Sequence, residues 1–120
     1  MTNSADPAPD QPITRTVLMS APLPTVKNTS HVEVRQIQMQ PGAAAGLHVH
    51  NCPVVGNIVE GSVTYQVDGQ SPSLLRPGDA FLEAEGARIA RFDATEESVT
   101  FIACFLLGPG QAPELTLLDQ

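Results

Sequence analysis

Two histidines one residue apart, in Gly46-Leu-His48-Val-His50, are the side chains of this sequence best spaced to do chemistry. On a strand, positions i and i+2 point to the same side, so both imidazoles project from one face about 7 Å apart along the backbone. Such a pair is half of a metal site, and two imidazoles alone leave a metal weakly held and open to exchange. The alternative is a pair of satisfied core histidines with no metal. Other residues carry lesser expectations. Cys52, just past His50, is a soft ligand, a reactive thiol or inert packing. Tyr65 lines a pocket with its hydroxyl or serves only to pack. Arg35 binds a substrate carboxylate if it faces inward, or lies exposed beside glutamines. Gly56 keeps one wall small, leaving room for a ligand or for a bulky neighbour.

The elements that must position these groups read as strands. Thr14–Met19, His31–Met39, Val54–Val59, Ser62–Val67, Ser73–Leu75, Ala80–Glu83, Ile89–Phe92 and Val99–Leu107 are β-rich runs separated by turn residues. Glu60-Gly61 reads as a tight hairpin between two of them. Within His31–Met39, Arg35, Ile37 and Met39 share one face and Gln36 and Gln38 the other. Cys104 alternates with Ile102 and Leu106 and is expected in the core. Eleven prolines and nine glycines among such runs point to an all-β fold, a sandwich or barrel.

At 120 residues the chain is expected to be a single domain over 13–120, preceded by a polar, proline-rich flexible tail over 1–12. Six Lys plus Arg against thirteen Asp plus Glu give a net charge of -7, which disfavours nucleic acid and anionic membranes as partners. No apolar run reaches the roughly 18 residues of a membrane span. With no signal-peptide pattern and no CxxC pair, a cytoplasmic protein with reduced thiols is the expectation.

Taken together, Gly42, His48, His50 and Gly61, followed by Gly78 and Gly86 with the Pro77-Gly-Asp79 turn, resemble the two sequence motifs of the cupin superfamily. The resemblance covers roughly Val32 to Leu107 and implies a jelly-roll β-barrel. In metal-dependent cupins three histidines and a glutamate hold Fe, Mn, Ni, Zn or Cu inside the barrel. Here Val54 stands at the glutamate position and Ile89 at that of the third histidine, which also makes the expected pocket drier and more apolar.

The same resemblance puts inward-facing side chains at Phe81 and Glu83. An acid facing inward needs a partner, whether a metal, Arg35, a histidine or a ligand. The other reading turns Glu83 outward or pairs it with Arg35 or Arg88. With His48 and His50, Glu83 would make a two-histidine, one-carboxylate set for a divalent metal (Fe, Mn, Ni, Cu or Zn), with Glu83 also the candidate catalytic residue. Val54, Gly56, Tyr65, Ile89 and Arg35 are the candidate pocket residues. The implied function is a small stand-alone cupin enzyme of dioxygenase, isomerase or hydrolase type acting on a small organic molecule. The alternative is a non-catalytic cupin that binds a small molecule without metal. A homodimer is expected, since single-domain cupins often pair through outward sheet faces and edges.

Overall fold

The structure, a computed structural model, describes residues 12–119. It is all-β, with seven antiparallel strands and no helix among the described residues: β1 (His31–Met39), β2 (His48–His50), β3 (Val54–Val67), β4 (Ser73–Leu75), β5 (Ala80–Glu83), β6 (Ile89–Leu107) and β7 (Leu115–Leu117). The expected tail over 1–12 lies outside the described residues but for Pro12.

β3 and β6 are long because each runs through both halves of the fold. In one half Val54–Gly61 of β3 and Val99–Phe105 of β6 pair with each other, flanked by β5 and β1. In the other half Val63–Val67 pairs with the first part of β6, flanked by β4 on one side and by β2 and β7 on the other. Apolar side chains from the two halves meet between them. Phe81, Phe92 and Phe101 stack within one buried cluster that also holds Val54, Ile58, Val63, Ile89 and Phe105.

Two expected elements are corrected by this arrangement. Glu60-Gly61 is not a hairpin, because β3 continues through it as a bulge, with register shifts against β6 between Ile58 and Glu60 and between Gly61 and Val63. Gly61 has φ +77°, and a Cβ there would collide with the Ser98 carbonyl oxygen, so only glycine fits. Ser62 pins the crossing: its buried hydroxyl lies 2.7 Å from Thr95 Oγ1 and donates to Glu97 at 2.8 Å. For the same reason the runs expected at Ile89–Phe92 and Val99–Leu107 merge into one strand.

Thr14–Met19 forms no strand within the chain, for it finds no ladder partner among the described residues. β7 was not expected; it is recruited by β2, with His48 opposite Leu117 and His50 opposite Leu115. Cys104 is half-buried on the outer side, while Phe101, Ala103, Phe105 and Leu107 face inward. Both faces of this strand are apolar, so alternation gives the period but not the side.

Candidate metal centre

A three-residue strand carries both histidines, and its brevity is offset by ladders on two sides, to β7 and to Ile89 of β6. Just upstream, Gly46 adopts φ +83°, and its carbonyl accepts a 2.7 Å hydrogen bond from His48 Nδ1. That bond sets the tautomer and leaves His48 Nε2 directed at the interior. Glu83 ends β5 and lies opposite Val54 on β3. The carboxylate is therefore supplied from the strand beside the valine.

Glu83 is 3% exposed and turns toward the histidines. Its Oε1 lies 2.8 Å from His50 Nε2 and 3.7 Å from His48 Nε2. The second distance is too long for a strong hydrogen bond, so charge attraction carries that contact. The imidazoles meet edge to face with centroids 5.0 Å apart. One potential ligand atom from each of His48, His50 and Glu83 lies within 4.8 Å of the others. Neither arginine considered as a partner for Glu83 reaches it: Arg35 pairs with Glu33 and Arg88 with Asp68.

Burial pushes the Glu83 carboxyl toward neutrality, but the two histidines outweigh it and hold the group below the ordinary carboxylate range. For His48, burial favours the neutral ring, yet the Glu83 carboxylate and the Gly46 carbonyl outweigh burial and raise its pKa. An ionised carboxylate and two imidazoles with Nε2 gathered around one point are a donor set suited to a divalent cation. The cluster can hold a metal.

A cavity of about 290 Å³ opens beside this cluster. All four phenylalanines of the chain, Phe81, Phe92, Phe101 and Phe105, line it, together with Ile37, Met39 and Val54. Arg35 stands at its rim, 4.8 Å above the Phe105 ring, with Pro113, Glu114 and Leu115 nearby. The segment before β7 is held there by Asn51, whose side chain bonds the Ala112 carbonyl and the Glu114 amide.

Of the residues expected to line a pocket, Val54 and Arg35 do so, whereas Gly56, Tyr65 and Ile89 lie behind the wall. Gly56 makes room for the Phe81 ring, which an added Cβ would strike. Tyr65 packs on Phe81 and Phe92 with its hydroxyl buried and unpartnered, and burial pushes its pKa up. Ile89 is fully buried opposite His48. Cys52 is fully buried as well, and burial raises its thiol pKa, which marks it as packing. The aromatic lining was not anticipated; the spacing of Phe101 and Phe105 on one strand face was its available signal. Nothing local announces the contribution of Glu114, which depends on the return of β7.

No protein-family model matches the sequence, and no curated protein matches it. Solved structures do. DMSP lyase DddQ from Ruegeria pomeroyi superposes with a TM-score of 0.62 at 20% identity, over 75% of this chain and 44% of its own. A cupin-like protein from Thermotoga maritima gives a TM-score of 0.62 at 20% identity, over 71% of this chain and 64% of the other. The chain has the cupin fold. A sugar phosphate isomerase of the cupin superfamily from Silicibacter pomeroyi is also similar, with a TM-score of 0.60 at 24% identity over 76% of this chain and 59% of its own. The chain thus spans under half the length of the lyase and over half that of the isomerase. Within the cupin fold, the two positions that lack the expected ligands lie across ladders from groups that remain: Val54 faces Glu83, and Ile89 faces His48.

Proposed function

We propose that this cupin is a metal-dependent enzyme acting on a small, largely apolar organic molecule, with His48, His50 and Glu83 as the ligands of one divalent cation. The observation that carries this reading is Glu83: a buried acid directed at two histidine Nε2 atoms beside a cavity. Fe, Mn, Ni, Cu and Zn all accept two imidazoles and a carboxylate. A bound cation supplies Lewis acidity and open coordination positions in isomerase, dioxygenase or hydrolase chemistry.

The chain's own groups do the rest. The Gly46 carbonyl holds the His48 tautomer. The Phe-lined wall excludes water and takes the apolar body of the substrate. Glu83 stays ionised, as ligand or as a base for a nearby proton, and Arg35 at the rim, paired with Glu33 in the free protein, would exchange that partner for a substrate carboxylate. That the similar structures include a lyase and an isomerase supports catalysis on this fold. Unpaired Cys52 and Cys104 support a cytoplasmic setting.

The direct test is metal stoichiometry and affinity for untagged protein. Wild type is expected to bind close to one equivalent, and His48→Ala with His50→Ala to lose it. Glu83→Gln is expected to weaken binding by on the order of 100-fold or more, since even supporting groups around a metal are worth 10–100-fold. Wild type that takes up none of the five metals would sink the proposal.

One observation favours a second reading, a metal-free binding protein. His50 and Glu83 already satisfy each other at 2.8 Å, so the buried acid has a partner within the chain. Under that reading, a small apolar carboxylic acid raises the melting temperature equally in wild type and in the double-alanine variant.

A further inference from the structure

β7 and the residues leading into it lie across the mouth of the cavity, where Pro113, Glu114 and Leu115 line it. Apolar burial does little to hold them there. Ala112, Glu114 and Thr116 are exposed, and Leu115 and Leu117 keep 49% and 65% of their surface in solvent. Docking rests on hydrogen bonds instead. The Asn51 side-chain amide donates to the Ala112 carbonyl at 2.9 Å, and its oxygen accepts from the Glu114 amide at 2.8 Å. The Asn51 backbone amide donates to the Glu114 carbonyl at 3.1 Å, and further along the Leu118 amide donates to the Leu47 carbonyl at 2.9 Å. A segment held mainly by solvent-facing hydrogen bonds opens at lower cost than the strands that carry the core.

The base of this segment is fixed. Gln111 donates to the Asn51 carbonyl at 2.8 Å, and its side-chain oxygen accepts from the Gly108 amide and from Lys27 Nζ, both at 2.9 Å. Gly110 has φ +71°, which lets Gly108–Gln111 form a tight turn closed by the Gln111 amide on the Gly108 carbonyl. Motion is thereby confined to Ala112–Leu118. The strand beneath depends on that stretch. β2 meets β6 at one position, His48 opposite Ile89, and pairs along its whole length only with β7. Asn51 directly follows His50, so the residue that fastens the segment is joined by a peptide bond to a candidate metal ligand.

We infer that Ala112–Leu118 is a strap that opens and closes as a unit over the cavity, with Asn51 as its latch and as a positioning residue for His50. Opening uncovers the cavity mouth at Leu115 and releases β2 from its longer ladder. Small molecules and the cation enter and leave by this route. What concerns the cation rests on the reading of His48, His50 and Glu83 as its ligands, whereas the opening itself does not.

Hydrogen exchange of the metal-free full chain, read by mass spectrometry, tests the opening. Amides over 112–118 are expected to exchange together and well before the core stretches of β3 and β6. Asn51→Ala is expected to speed that exchange by roughly tenfold or more, with β3 and β6 unchanged. Asn51→Asp keeps the acceptor for Glu114 and loses the donor to Ala112, so its effect should be intermediate. Strap protection equal to that of the core, or an acceleration spread over β3 and β6, overturns the inference. A reversible clamp tests the route. Val49 stands opposite Thr116, on the face away from the histidines. In a hydrogen-bonded antiparallel pair the Cα atoms lie about 5.5 Å apart, within the span of a disulfide. With Val49→Cys and Thr116→Cys, the oxidised protein is expected to release Zn2+, or whichever of the five cations wild type takes up, to a chelator roughly tenfold or more slowly than the reduced protein. The amount bound should be the same in both. Equal release rates overturn the strap as the route. A wild type that takes up none of the five contradicts the metal reading, and hydrogen exchange then decides the strap.

Discussion

At the scale of single residues, the site is governed by one carboxylate shared between two imidazoles, and its protonation sets a pH dependence. Glu83 is held below its ordinary value of 4.5, so its contribution to stability is present above that pH and is lost as pH falls through the lowered pKa. His48 is raised above 6.5, so its contribution is present below that pH and is lost as pH rises through the raised pKa. The metal-free protein is therefore expected to gain most from this pair between about pH 4.5 and 6.5. Melting temperatures across that range will check it, with Glu83→Gln flattening both flanks. Metal affinity should run the other way on the alkaline side, climbing as His48 sheds its proton. Tyr65 supplies a second prediction. Its hydroxyl is buried without a partner, so Tyr65→Phe is expected to leave stability unchanged or raise it by up to about 1 kcal/mol. Urea unfolding will measure this, and a clear loss would reveal a partner for the hydroxyl.

At the scale of elements, the bulge in β3 decides how the barrel is built. Gly61 lets one strand pass from the first half of the sheet to the second, which keeps Val54 opposite Glu83 and Tyr65 opposite Phe92. Gly61→Ala adds a side chain at φ +77° against the Ser98 carbonyl and is expected to cost about 2 kcal/mol or more. Thermal unfolding will show it, and a loss of metal affinity should accompany the loss of stability. A glycine after glutamate reads locally as a turn, and only the pairing with β6 distinguishes a bulge from a hairpin. β1, with its clear alternation, was legible from its own residues, and so was the extent of β5, whose inward side at Phe81 and Glu83 came only from the cupin resemblance. β7 was not, because three residues acquire strand geometry only by docking on β2.

At the scale of the whole molecule, ligand atoms from β2 and β5 meet only when the two halves of the barrel have closed. Metal and fold are accordingly coupled: at about 100-fold excess over Kd, a bound cation is expected to add about 2.7 kcal/mol to unfolding stability. Wild type with and without added metal should separate in melting temperature by an increment that vanishes in the His48→Ala, His50→Ala variant. The sequence by itself determined the all-β architecture, the glycines that punctuate it and the common face of His48 and His50, because strand periodicity and turn chemistry act over a few residues. It narrowed Glu83 to an inward or an outward acid without choosing between them. Tertiary structure made the choice by setting β5 against Val54, so that the inward side of Glu83 met two imidazoles rather than Arg35 or Arg88. It also placed Gly56, Tyr65 and Ile89 behind the wall and gathered four phenylalanines around the cavity. Those outcomes depend on register between strands distant in sequence, where the shift of one residue exchanges the inside for the outside.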